Sequence, residues 1–225
     1  LAPTGASSSS FSNIGNITGG STADTFTFWA AYQLNGTTGI DGGGGVNEIV
    51  GPDVTIVWTI TADDAGTIMP TGAIGATKFV NVGSLTGSDS CNFIFNGAFQ
   101  LSGTTGIDGG GGNSTITGPD VDTVWIITAS DGGTLNPNGS SGATTFIHID
   151  NLIGGSGNDS FTFNGAYRIS GDVGISGGGG VNTVTGPNVA NNWIITADNG
   201  GTVFPVGAPT ATILTNINNW VGGTA

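Results

Sequence analysis

A glycine-rich motif that occurs three times constrains the fold of this chain more than any other feature. Gly-Ile-Asp-Gly-Gly-Gly-Gly spans residues 39–45 and returns at 106–112, and it occurs again at 174–180 with Ser in place of Asp. A tryptophan follows each copy, at Trp58, Trp125 and Trp193, and these tryptophans lie 67 and then 68 residues apart. The sequence therefore predicts three repeats, at about 12–79, 80–146 and 147–214, with partial repeats at both ends.

A shorter period lies inside each repeat. Pairs of small residues begin at Gly19, Gly42, Ala65, Gly87, Gly109, Gly132, Gly154, Gly177, Gly200 and Gly222. The nine steps between them cover 203 residues, about 22.6 each, and a period of this size is typical of solenoids. We predict one all-β domain over residues 1–225, a right-handed parallel β-solenoid of about ten coils of 22–23 residues, three coils to each repeat.

The small-residue pairs are predicted to be the corners of this solenoid. Glycine turns sharply without a Cβ penalty, and stacked coils about 4.8 Å apart leave little room for side chains there. We assign structural corners to Gly42, Gly109 and Gly177. Eight residues before the corners stand apolar residues that we expect to fill a continuous interior, at Leu34, Val57, Phe79, Leu101, Val124, Phe146, Ile169 and Leu214.

Charge and cysteine content exclude several classes of function. Two basic residues against fifteen acidic ones give a net charge of −13, so we expect no nucleic-acid partner, because phosphate binding needs clustered Lys and Arg. Cys91 is the single cysteine, which excludes an intramolecular disulfide. No apolar run reaches the roughly 18 residues of a membrane-spanning helix, so we expect no membrane insertion. The absence of an initiating Met suggests a mature or excised piece.

One stretch fits a calcium-binding pattern. Residues 154–161 match the nonapeptide G-G-x-G-x-D-x-U, in which glycine turns present carbonyl oxygens and the aspartate supplies a carboxylate. The candidate metal residues are Gly154, Gly155, Gly157 and Asp159. The alternative interpretation is a corner closed by an Asx turn.

The three repeats resemble the degenerate β-strand repeats of very large bacterial secreted and surface proteins, the RTX-like and filamentous-haemagglutinin-like adhesins and fibres. The stretches that carry this resemblance are residues 151–161, 177–184, 186–188 and 193–196. It implies an extracellular or cell-surface location and a role as a stalk, fibre or adhesin.

The leading hypothesis is therefore a structural fibre or stalk segment that stacks end to end through open solenoid edges or continues in a larger chain. A first alternative is an RTX-like calcium-binding module that folds on secretion, with calcium as the only cofactor considered. A second is a polysaccharide-binding or polysaccharide-cleaving β-helix whose aromatic contacts would be Trp58, Trp125 and Trp193. We expect no enzyme, because His148 is the only histidine and the acidic pairs lie beside turns without basic partners.

Overall fold

The computed structural model describes residues 10–206, 208 and 210–224, and every regular element in that part of the chain is a β-strand. The chain begins with β1 (Ile17–Thr18), β2 (Thr25–Thr27), β3 (Ile40–Asp41) and β4 (Glu48–Val50). Seven strands follow, β5 (Ile56–Ala62), β6 (Ala65–Pro70), β7 (Thr77–Val80), β8 (Ser84–Thr86), β9 (Cys91–Phe95), β10 (Ile107–Asp108) and β11 (Thr115–Thr117).

The next seven strands repeat the previous seven. They are β12 (Thr123–Ala129), β13 (Gly132–Pro137), β14 (Thr144–Ile147), β15 (Asn151–Ile153), β16 (Ser160–Phe163), β17 (Ile175–Ser176) and β18 (Thr183–Thr185). The series then starts again with β19 (Asn191–Ala197), β20 (Gly200–Pro205), β21 (Thr212–Thr215) and β22 (Asn219–Val221). The predicted all-β class is confirmed. The start of the N-terminal partial repeat, residues 1–9, lies outside the described residues.

The strands form two sheets around one apolar core. The first sheet has twelve strands in the order β1-β3-β7-β6-β5-β9-β11-β15-β17-β21-β20-β19, and the second has ten in the order β2-β4-β8-β10-β14-β13-β12-β16-β18-β22. Outside the triplets β5–β7, β12–β14 and β19–β21, consecutive strands alternate between the sheets, and neighbours within a sheet are parallel, as in a solenoid. A single cluster of buried side chains runs through both sheets.

An antiparallel meander of three strands interrupts the winding in every repeat. β5, β6 and β7 pair antiparallel in the first sheet, β12, β13 and β14 in the second, and β19, β20 and β21 in the first again. Because a repeat contains seven strands, an odd number, successive meanders fall on opposite sheets. The expectation of parallel strands throughout each repeat was therefore wrong.

The meander also changes the spacing between stacked strands. Ile17 lies opposite Ile40, 23 residues later, as the period of 22–23 predicts. Ile40, however, lies opposite Phe79, 39 residues later, because β5 and β6 intervene in the chain. The small pairs at Ala65, Gly132 and Gly200 begin the middle strands β6, β13 and β20, where we expected corners.

The predicted interior columns are largely buried, with one physical exception. Phe79, Leu101, Phe146, Ile169 and Leu214 are each at most 1% exposed. Two members of the column, Val57 and Val124, face solvent instead, at 36% and 47% exposure. In β5 and β12 the neighbouring tryptophan takes the inward position, and side chains alternate between the two faces of a strand.

Candidate functional site

In each of the first two repeats, the first strand of the meander carries a tryptophan that is buried between two phenylalanines. Trp58 of β5 stacks on Phe93 of β9, with ring centroids 5.9 Å apart and planes 4° apart, and it meets the ring of Phe79 edge-on at 6.4 Å. Trp125 of β12 repeats the arrangement with Phe161 at 5.5 Å and Phe146 at 6.3 Å. We call this arrangement the tryptophan sandwich.

The glycine of each Gly-Pro pair makes room for this tryptophan. A Cβ on Gly118 would lie 2.8 Å from Cζ2 of Trp125, and one on Gly51 would lie 3.2 Å from Cζ2 of Trp58. Contacts under 3.0 Å force a shift. The pairs Gly51-Pro52, Gly118-Pro119 and Gly186-Pro187 recur at the same 67- and 68-residue spacing as the tryptophans, and this packing explains why. Trp58 and Trp125 have no exposed surface, which favours the core interpretation over contacts with a ligand.

The third sandwich is incomplete. Trp193 of β19 is only half-buried, and its aromatic neighbour is Trp220, at 5.4 Å and a tilt of 57°. β19 is the last strand of the first sheet, and among the described residues no strand pairs with its outer edge. Ile195, whose counterparts Ile60 and Ile127 are fully buried, is 69% exposed there. We call the outer edges of β19 and β22 the C-terminal face.

The opposite end of the molecule carries the phenylalanines of a sandwich without its tryptophan. An open cleft of about 500 Å³ is lined mainly by Phe11, Ile17, Phe26, Phe28, Trp29 and Tyr32. Phe26 occupies the place of Phe93 and Phe161 in the repeat, and Phe11 that of Phe79 and Phe146. β2, which carries Phe26, is the first strand of the second sheet. We call this cleft, with the outer edges of β1 and β2, the N-terminal face.

The predicted corners Gly42, Gly109 and Gly177 directly follow β3, β10 and β17. Each is packed against a side chain five residues later, at Asn47, Ser114 and Asn182, where an added Cβ would come within 2.4–2.9 Å of the side chain. These polar side chains also link stacked corners, since Asn47 Oδ1 accepts the Asp24 N–H at 2.9 Å and Asn182 Oδ1 accepts the Asp159 N–H at 2.9 Å. The corners are therefore held by ladders of side-chain to backbone hydrogen bonds.

Asp159 lies inside one of these corners, and its carboxyl group has the most strongly shifted pKa of the described acids. It is 1% exposed, its Oδ1 accepts the Thr123 N–H at 2.9 Å, and its Oδ2 is buried without a hydrogen-bond partner. Burial raises the pKa of Asp159 to about 7; the Asp122 carboxylate adds to the rise, whereas the Thr123 N–H opposes it.

This raised pKa predicts a pH dependence of stability. The folded state keeps the Asp159 proton up to about pH 7, whereas an unfolded aspartate loses its proton near pH 4, so stability should fall as pH rises between these values. The shift sets an upper limit of about 4 kcal/mol on the loss. Chemical unfolding from pH 4 to 8 would measure it. The matched variant is Asp159→Asn, because Asn182 fills the same corner position one coil later, and an unchanged slope in that variant would contradict the assignment.

The predicted metal residues are close together but do not form a full ligand set. Oδ2 of Asp159 is directed at the Gly154 backbone, where a Cβ on Gly154 would come within 2.1 Å of it, and Gly155 adopts a φ of 114°. Gly157 packs on the backbone of Val121 and Asp122. Within the described residues no group of three or more His, Cys, Asp or Glu side chains could hold a metal ion.

His148 and the acidic pairs have structural partners. His148 has a φ of 53°, like Asn81 and Asn216 at the same turn of the other repeats. Its Nδ1 lies 2.8 Å from Asp108 Oδ1, and Asn81 donates to Asp41 Oδ1 at the same distance. In the adjacent acids Asp63 and Asp64, Asp63 accepts the N–H of Gln100 and Asp64 accepts that of Ser102. Cys91, the counterpart of Asp159, is buried, and burial raises its pKa.

Sequence reasoning predicted open solenoid edges but not the aromatic residues that lie at them. The missing sandwich partners could have been found by aligning Phe11 and Phe26 with the later repeats. No helix in the described part of the chain has the length and apolarity needed to cross a membrane. No protein-family model and no curated protein matches the sequence.

Proposed function

We propose that this chain is a structural segment of an extracellular bacterial fibre or stalk, a right-handed β-solenoid that associates end to end through its two end faces. The observation that supports this function most directly is the incomplete sandwich at each end: a tryptophan strand without its phenylalanine strand, and phenylalanines without a tryptophan. The proposal assigns the chain no catalytic step.

The repeated architecture of the chain fits this role. Repetition of one unit extends a rod by stacking, and each unit contacts mainly its neighbours. Neighbouring strands at about 4.8 Å spacing in mixed sheets of ten and twelve strands give a rod of roughly 50 Å. The outer strands leave backbone N–H and C=O groups free to pair with another chain. The right hand of the winding follows the usual preference of parallel crossovers.

Electron microscopy of the purified chain at low and high salt tests the proposed function. Each copy carries a net charge of −13, so copies repel each other at low ionic strength and salt screens that repulsion. We expect filaments whose mass rises several-fold between roughly 20 mM and 500 mM NaCl, where the Debye length falls well below 10 Å. Monomers at every salt and protein concentration would contradict the fibre role.

A calcium-binding module is the second candidate. The orphaned Oδ2 of Asp159 and the neighbouring Asp122 carboxylate favour it, because a cation would neutralise both. Calcium takes six to eight oxygen ligands, and one oxygen of Asp159 already accepts a backbone N–H. Loss of β-structure and of filaments on chelation, restored by CaCl₂, would move this candidate to first place.

A polysaccharide-binding surface is the third candidate. The observation that favours it is the exposure of Trp29 and Tyr32, at 89% and 68%, beside the cleft. Binding of soluble glycans that is lost in the Trp29→Ala variant would support it.

A further inference from the structure

The C-terminal face presents a tryptophan strand without its phenylalanine strand, and the N-terminal face presents a phenylalanine strand without its tryptophan strand. Resting on the proposed end-to-end association, we propose that β19 of one copy pairs in parallel with β2 of a second copy, so that Trp193 stacks on Phe26 of that copy. At the same junction β22 of the first copy takes the place of β1 of the second.

The register of this junction follows from the complete sandwiches. Trp58 of β5 lies opposite Phe93 of β9, and Trp125 of β12 lies opposite Phe161 of β16. β19 is the third of the tryptophan strands, after β5 and β12. β2 is the first of the phenylalanine strands, before β9 and β16. The same register places Trp193 opposite Phe26, and therefore Ile194 opposite Thr27.

The switch of sheets at every repeat also fits the junction. β5 lies in the first sheet, β12 in the second and β19 in the first again, so the next repeat would present its strands from the other sheet. β2, the strand that β19 lacks, lies in the second sheet. A second copy turned so that its second sheet continues the first sheet of its neighbour repeats the relation between successive repeats.

Strand exchange is required because β22 and β1 are the same element of the repeat. Residues 216–223 repeat residues 13–20, and β22 pairs with β18 as its counterparts β8 and β15 pair with β4 and β11. Stacking β2 on β19 brings β1 of the second copy to the position that β22 already fills. β1 is held to β3 by only two residue pairs, so it is the strand that leaves.

Asn219 of β22 stands at the repeat position of Asn16, whose side chain ties the turn before β3 to β1. Oδ1 of Asn16, just before β1, accepts the N–H groups of Thr38 and Gly39 at 3.0 and 2.9 Å. Asn151 of β15 does the same for the following coil. Asn219 holds this position in β22, and its Oδ1 accepts no hydrogen bond among the described residues, while its Nδ2 donates to Thr183.

The junction removes the apolar side chain of Ile195 from water. Ile195 is 69% exposed at the free edge of β19. Ile195 has buried counterparts in the other repeats, Ile60 and Ile127. Burial of such side chains opposes the charge repulsion between copies.

Disulfide cross-linking between single-cysteine chains tests the register. All variants carry Cys91→Ala, and a chain with Ile194→Cys is mixed with a chain with Thr27→Cys and oxidised. We expect a covalent heterodimer at least fivefold more abundant than in the control mixture of Asn192→Cys with Thr27→Cys, whose positions are two residues out of register and beyond the roughly 7 Å limit for a disulfide. Equal yields, or homodimers of Ile194→Cys as the main product, would overturn the pairing.

An internal lock tests the strand exchange. Thr18 lies opposite Asp41 in the pair of β1 with β3, so Thr18→Cys with Asp41→Cys, again with Cys91→Ala, allows a disulfide that keeps β1 in place. We expect at least tenfold fewer filaments from the oxidised form and recovery on reduction. Equal filaments in both forms would overturn the exchange while leaving the fibre role intact, whereas wild-type chains that never associate would overturn both.

Discussion

Replacing Trp125 by alanine is expected to lower the free energy of unfolding by about 3–5 kcal/mol, the usual cost of removing a buried aromatic side chain from a core. Trp125 is fully buried, stacks on Phe161 and meets Phe146 edge-on. The neighbouring strands are tied into two sheets and cannot collapse into the cavity. Chemical unfolding followed by circular dichroism would measure the change, with a fall in Tm of roughly 10 °C.

Trp193→Ala is the matched control for this prediction. Trp193 occupies the same repeat position at the end of the first sheet, where its sandwich is incomplete and it is only half-buried. Its removal from a single copy should cost about 1–2 kcal/mol, in proportion to the smaller area buried. It should, however, abolish end-to-end association if the proposed junction is correct. Equal destabilisation by the two variants would show that the end of the sheet is as well packed as its middle.

The repeat and the corners could be predicted from the sequence, whereas the meander could not be predicted from the period alone. Corner pairs such as Gly42-Gly43 and meander pairs such as Ala65-Gly66 recur at the same 22–23-residue step. They differ in the residue before them, since Asp64, Asp131 and Asn199 adopt positive φ in the two-residue turn between antiparallel strands.

The sequence contained a signal for this turn. Asp131-Gly132 and Asn199-Gly200 are hairpin dipeptides. Two residues before these pairs stand the polar Ser130 and Asp198, where true corners such as Gly42 have an apolar residue. This break in the apolar pattern marks a change from parallel winding to a hairpin. The sandwiches were also hidden, because a tryptophan recurring every third step gives no indication that its partners come from strands about 20 and 35 residues later.

Replacing Gly109 by alanine is expected to destabilise the protein by about 1–3 kcal/mol, the range for forcing extra atoms into a packed site. A Cβ there would lie 2.0 Å from the carbonyl oxygen of His148 and 2.9 Å from Cβ of Ser114. The first contact is with backbone, which cannot rotate away, so the stacked coils must separate locally. Separation would also strain the N–H of Gly109, which donates to the Ile147 carbonyl at 3.0 Å.

Gly222→Ala provides the matched control, because Gly222 begins a small-residue pair like Gly109 but nothing lies within 4 Å of its added Cβ. Thermal unfolding of the two variants side by side should show a Tm lowered by several degrees for Gly109→Ala and little change for Gly222→Ala. The difference arises because the coil that would stack on Gly109 is present and the one that would stack on Gly222 would come from the next copy. Filaments of Gly222→Ala should therefore be weakened even though its monomer is as stable as the wild type, and a variant that assembles normally would show that this corner lies outside the junction.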